Sequence, residues 1–148
     1  MEVPYGIVHI ASHGEFGGEP SDNFLLAYDG RVSMDQLAAM VGATRFRAEQ
    51  PLELLTLSAC ESAAGDDRAA LGLAGVALRA GARSALATLW SVNDQATADF
   101  VVAFYRQWND PERSRAQALQ YAQIELLSTR HYRHPGYWAP YLLINSWL

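Results

Sequence analysis

Two side chains in this sequence have the chemistry and the placement to act on a substrate, a thiol and an imidazole. The only cysteine, Cys60, sits in Leu57-Ser58-Ala59-Cys60-Glu61-Ser62, and His13 sits in Ala11-Ser12-His13-Gly14-Glu15. Each string follows an apolar run that reads as a β-strand, so both side chains are expected where a strand ends. Open parallel sheets gather ligands and chemistry outside the carboxyl ends of their strands. A cysteine and a histidine on that rim are the minimal parts of nucleophilic catalysis through sulfur.

Each residue also has a plainer reading. A free cysteine behaves as a small hydrophobe and is often packed in a core. Cys60, however, opens the polar loop Glu61–Arg68, which argues for an accessible thiol. An ordinary thiol, with a pKa near about 8.5, needs a base or a positive partner to react at neutral pH. His13 can be a capping or core imidazole. Gly14 tilts it toward chemistry, because a residue without a β-carbon lets its backbone N–H approach a substrate carbonyl. His9, four residues back in the same strand, reads as structural.

The elements that must position these groups follow from pattern. Tyr5–Ser12 is an apolar, β-rich run, and Glu15–Asn23 carries glycine and proline and reads as loop. Phe24–Ala27, the Tyr28-Asp29-Gly30 turn and Arg31-Val32 make a small hairpin. Ser33 and Gln36 match a capping box for a short helix that Gly42 is expected to close. Leu52–Leu57 is the second strand, entered at Pro51. Ala69–Ala80 is a helix of small residues, and Ser84–Leu89 is the third strand. Asn93 or Asp94 can cap a helix whose Ala96, Phe100, Phe104 and Trp108 share one face. Ser114 and Gln117 form another capping box before Ala116–Leu127, and Tyr137–Trp147 supplies the last strand. Strands alternating with helices predict one α/β domain over residues 1–148, built on a mainly parallel sheet of about four strands.

Composition narrows the partners. The chain has 148 residues, half of them hydrophobic, which suits a single domain with a real core. Its net charge of −5 disfavours a nucleic-acid phosphate tract as partner. All eleven basic residues are arginine. A single cysteine excludes an internal disulfide and a Cys-rich zinc site, and no cofactor is expected. The four histidines lack metal-ligand spacing, and His131 with His134 reads as a solvated turn. With no signal peptide and no apolar run of membrane-spanning length, a cytoplasmic protein is expected.

His13 precedes Cys60 by 47 residues. In caspases the histidine lies about 50 residues before an Ala-Cys string. The chain resembles the caspase-like (clan CD) cysteine peptidase superfamily and, within it, the CHAT domain, a relative of separases often attached to TPR arrays. The resemblance is carried by Val8-His9-Ile10-Ala11-Ser12-His13-Gly14, Leu57–Ser62, Ala80-Gly81-Ala82-Arg83-Ser84, Leu89-Trp90-Ser91-Val92-Asn93-Asp94, Phe104-Tyr105 and His134-Pro135-Gly136-Tyr137-Trp138-Ala139. It implies a Cys60 nucleophile, a His13 acid and base, and an oxyanion hole from the backbone N–H groups of Gly14 and Cys60. The reaction implied is peptide-bond hydrolysis through a thioester. The family's fold has strands before the His-Gly strand, so this chain resembles its C-terminal part: either it is a fragment, or the missing edge is supplied by a TPR or other sensor partner or by self-association.

The resemblance also bears on specificity. Caspases hold a substrate aspartate with arginines and a glutamine two residues before the cysteine. Here that substrate-binding position is Ser58, which cannot do the same. Separases and several bacterial relatives hold basic side chains with an acid, and Asp94 matches that position. A carboxylate there can pair with a substrate arginine, or it can serve only the helix that follows it. Glu61, Asp66 and Asp67 either add negative potential or are solvated loop acids, and Trp90 and Trp138 either shape a cleft or belong to the core. A non-catalytic interaction or signalling module that keeps these residues is the rival expectation. A serine hydrolase and a nucleotide enzyme are disfavoured, since neither a Gly-x-Ser-x-Gly elbow nor a phosphate-binding glycine loop occurs.

Overall fold

In the computed structural model, residues 6–15, 23–47, 52–59, 75, 77 and 81–146 are described. Four strands form the main sheet: β1 (Ile7–Ser12), β5 (Leu54–Ala59), β6 (Ser84–Thr88) and β7 (Tyr141–Asn145), in the order β1-β5-β6-β7. The first three are parallel and β7 is antiparallel to β6. Beside them β2 (Gly14–Glu15), β3 (Phe24–Ala27) and β4 (Gly30–Ser33) make a small antiparallel sheet, with β3 and β4 joined at Tyr28-Asp29. The expected α/β class with a mainly parallel sheet and flanking helices is what the chain adopts.

Strand alternation divides the core between two faces. Val8 and Ile10, Leu55 and Leu57, and Ala85 pack toward α1 (Met34–Arg47), against its Met34, Leu37 and Val41. Ile7, Leu54, Leu86 and Leu143 pack the opposite way, against α2 (Asp94–Trp108) and α3 (Arg115–Ser128). From those helices Phe100, Phe104, Ala118, Ala122 and Leu126 are fully or almost fully buried. Each large aliphatic side chain sealed in this way contributes about 2 kcal/mol.

Several boundaries differ from the sequence reading. The Ser33–Gln36 capping box forms, with each residue's backbone N–H donating to the other's side chain. Gly42 does not end α1, which runs on to Arg47. An interior glycine costs a helix about 1 kcal/mol, and burial of Leu37 and Val41 on the sheet offsets that. The second strand runs Leu54–Ala59 and the third stops at Thr88. The last strand starts at Tyr141, because Pro135–Tyr137 winds into a 3₁₀ turn first. Gly75 and Ala77 are helical, while the rest of the expected Ala69–Ala80 helix lies outside the described residues. Gly81 has a φ of 87°, which only glycine adopts cheaply, and the Ala82 N–H donates back to the Ala77 carbonyl at 3.0 Å. Among the described residues no helix is long and apolar enough to cross a membrane.

Candidate functional site

The site begins with register. β1 pairs β5 in parallel from Ile7↔Leu54 to Ser12↔Ala59, so the two strands end level on the carboxyl rim of the sheet. His13 is the residue after Ser12. Cys60, the residue after Ala59, lies outside the described residues, as do Glu61, Asp66 and Asp67.

β3 fixes the corner at His13. The Leu26 N–H donates to the His13 carbonyl at 2.7 Å, and the Ser12 hydroxyl donates to the Leu26 carbonyl. The next pair, Gly14↔Leu25, is then a non-hydrogen-bonded pair of the antiparallel ladder. Gly14 is buried, and its own N–H is turned away from β3. The His13 ring is exposed.

A cleft of about 490 Å³ opens at this rim. One wall is β1, through His9, Ala11, Ser12 and His13, and Ser58 of β5 joins it. The other wall is the first two turns of α2, through Asp94, Thr97, Ala98 and Val101. Three of the residues singled out by sequence, His13, Ser58 and Asp94, therefore share one cleft. The cap of α2 is Asn93, whose side-chain oxygen accepts from the N–H groups of Gln95 and Ala96 at 3.1 and 3.2 Å. The Asp94 carboxylate is not the cap, and among the described residues it makes no ion pair.

His9 is the residue that the sequence reading undervalued. Its Nε2 lies 2.9 Å from the Ser58 hydroxyl oxygen, and its ring packs 5.8 Å from that of Tyr105 on α2, tilted by 46°. The Tyr105 hydroxyl in turn bonds the buried Thr56 hydroxyl at 2.8 Å. Solvent reaches the ring of His9, yet the protein on its flanks displaces enough water from the charged form to lower its pKa. The same desolvation, larger than the opposing effect of the Thr56 hydrogen bond, raises that of Tyr105. A period-two signal pointed to this arrangement: His9, Ala11 and His13 share parity on β1, as Thr56 and Ser58 do on β5.

A family model for the CHAT domain matches residues 1–146, nearly the whole chain, in which the adjacent parallel strands β1 and β5 end at Ser12 and Ala59. The chain belongs to the CHAT domain family. No curated protein matches it. The family ties this CHAT domain to caspase-like, protease-related function. Other candidates of the sequence reading stand off the cleft. Trp90 is 42 % exposed and donates to the Gly136 carbonyl, while Trp138 packs beside the α2–α3 core and donates to the Arg133 carbonyl. The ring of His134 accepts from the Gly136 N–H and caps the Pro135 turn.

Proposed function

We propose that this CHAT domain is a cysteine endopeptidase that works through Cys60 and His13. The Cys60 thiol passes its proton to His13, and its sulfur attacks the carbonyl carbon of the scissile peptide bond. The backbone N–H groups of Gly14 and Cys60 hold the oxyanion that forms. His13 gives its proton to the leaving amine as the C–N bond breaks, which leaves a thioester. Water, deprotonated by His13, then attacks the thioester carbonyl, releasing the acid and returning the thiol. The observation that carries this reading is the level ending of β1 and β5 at Ser12↔Ala59, the residues that precede His13 and Cys60 in the sequence. The Gly14 N–H turned away from β3 supports its part in the oxyanion hole.

Asp94 supports a substrate with a basic side chain. Its carboxylate lines the cleft while Asn93 caps the helix, and the described lining contains no arginine to neutralise it. We place Ser58 beside it as a hydroxyl contact to the same side chain. Control by assembly fits the outer edge of β1, on which the described residues place no strand. A TPR or other sensor partner, or a second copy of the chain, would cover it, and the 148 residues would then form the C-terminal part of a larger caspase-like domain acting in the cytoplasm.

An arginyl fluorogenic peptide tests the reading, with Cys60→Ala and iodoacetamide-treated protein alongside. Turnover that falls about 10³-fold or more in both supports the peptidase. A Cys60 that alkylates only at the rate of an ordinary thiol, with no cysteine-dependent turnover even after partner capture, favours a non-catalytic interaction module.

A further inference from the structure

The His9–Ser58 pair has no part in the acyl-transfer steps above, yet it forms the floor of the same cleft. We propose that His9 is a specificity-determining residue, whose neutral ring, accepting the Ser58 hydroxyl proton at Nε2, keeps the cleft floor a set of acceptors for a cationic side chain, and whose protonation closes the cleft to it. This rests on the basic-side-chain reading of Asp94.

The hydrogen-bond inventory gives the reason. A neutral imidazole has one nitrogen that accepts, and a protonated one has none. His9 Nε2 lies 2.9 Å from the Ser58 hydroxyl oxygen, and in the neutral tautomer that carries its proton on Nδ1 it accepts from Ser58, which leaves the hydroxyl lone pairs for the cleft. The guanidinium of an arginine, which only donates, then meets the Ser58 oxygen and the Asp94 carboxylate, while Ala98 and Val101 cover its methylene stem. Protonated His9 must donate to the Ser58 oxygen. Ser58 then points its own proton at the incoming donor, and a second positive charge stands at the floor.

The ring is well held for this role. Tyr105 packs against it from α2, and the Thr56 hydroxyl fixes Tyr105 from β5. Burial of the flanks holds the His9 pKa below the ordinary 6.5, so the ring is neutral at physiological pH and gains charge only in acid. Among the described residues, the other titratable groups that line the cleft or pack on the His9 ring are His13 from β1 and Asp94 and Tyr105 from α2, while β5 contributes the uncharged Thr56 and Ser58.

The test uses the Cys60→Ala protein, so that binding is read without turnover. Argininamide and its uncharged isostere citrullinamide are titrated between pH 8 and pH 5, with the His9 ring followed by NMR. Argininamide is expected to bind at least about tenfold more weakly once the His9 ring is protonated, and citrullinamide to show no such fall. By linkage, saturating argininamide lowers the proton affinity of His9 by the same factor. The His9→Gln variant, neutral at every pH and able to accept from Ser58, retains argininamide binding at pH 5. An unmoved His9 titration, equal binding of the two amides, no binding at any pH, or the parent's pH curve in His9→Gln would each overturn the proposal. Failure of the peptidase reading is a separate observation, intact argininamide binding with no Cys60-dependent turnover.

Discussion

At the scale of single residues, the polar contacts beneath the cleft are coupled, and their energetics follow from burial. Thr56 is 2 % exposed, and its hydroxyl is satisfied by Tyr105. Removing one partner of such a pair strands the other without water, at a cost of about 1–3 kcal/mol. Tyr105→Phe is therefore expected to lower the unfolding free energy measured by urea titration by that amount. Thr56→Val combined with Tyr105→Phe should recover most of the loss, because replacing both partners removes the stranded hydroxyl. A double variant as unstable as the single one would show that ring packing, not the hydrogen bond, decides the effect.

At the scale of elements, the important device is the start of α2. Asn93 satisfies two backbone donors there, and the same turn carries Asp94 and Thr97 into the cleft. Asn93→Ala is expected to cost about 1 kcal/mol in chemical denaturation. Asp94→Ala should change stability by less than about 0.5 kcal/mol while weakening any cationic ligand. The opposite order of effects would return Asp94 to a capping role. The far end of the helix pair is tied differently. Arg115 at the start of α3 bonds Glu53, the Ser84 hydroxyl and the Ser146 carbonyl, and lies 5.1 Å from the centre of the Trp108 ring. Glu53 is shared with Arg83 at 3.3 Å. One guanidinium thus joins α3 to the entrances of β5 and β6 and to the exit of β7, so the sheet and its helices resist sliding past one another.

At the scale of the molecule, topology and the edge of β1, on which the described residues place no strand, belong together. β6 runs toward the cleft, α2 returns, α3 runs forward again, and β7 must come back antiparallel. A single helix between those strands would have made them parallel. β1 lies at the other side of the sheet. Its Gly6 carbonyl accepts from the Leu54 N–H, so alternation aims the polar groups of Val8 and Ile10 at β5 and those of Ile7, His9 and Ala11 outward. Hydrogen exchange on the isolated chain should show the Ile7, His9 and Ala11 amides about tenfold or more faster than those of Val8 and Ile10. Protection of the first set that grows with protein concentration would reveal a second copy on this edge.

By itself the sequence determined the class of fold and the pieces of the site. Apolar strands of period two, helices with a buried stripe and two capping boxes are local signals, written over a few residues each, and they predict α/β order, the Ser33 and Ser114 helix starts and a His-Gly strand end. The family likeness rests on the same short strings. Boundaries such as the run of α1 past Gly42 and the start of β7 at Tyr141 were not legible, since burial outweighs local propensity there. Nor was the fate of His9. A histidine inside a strand looks structural until the neighbouring strand is known, and only the Ile7↔Leu54 register puts Ser58 opposite Ala11, within reach of the His9 ring. Likewise Asn93 and Asp94 are both good caps as residue types, and it took the seating of α2 on the sheet to make one the cap and turn the other into the cleft. Local sequence sets what each segment prefers, whereas a site made from β1, β5 and α2 depends on contacts between residues about 40 or more positions apart, and those exist only once the chain has folded.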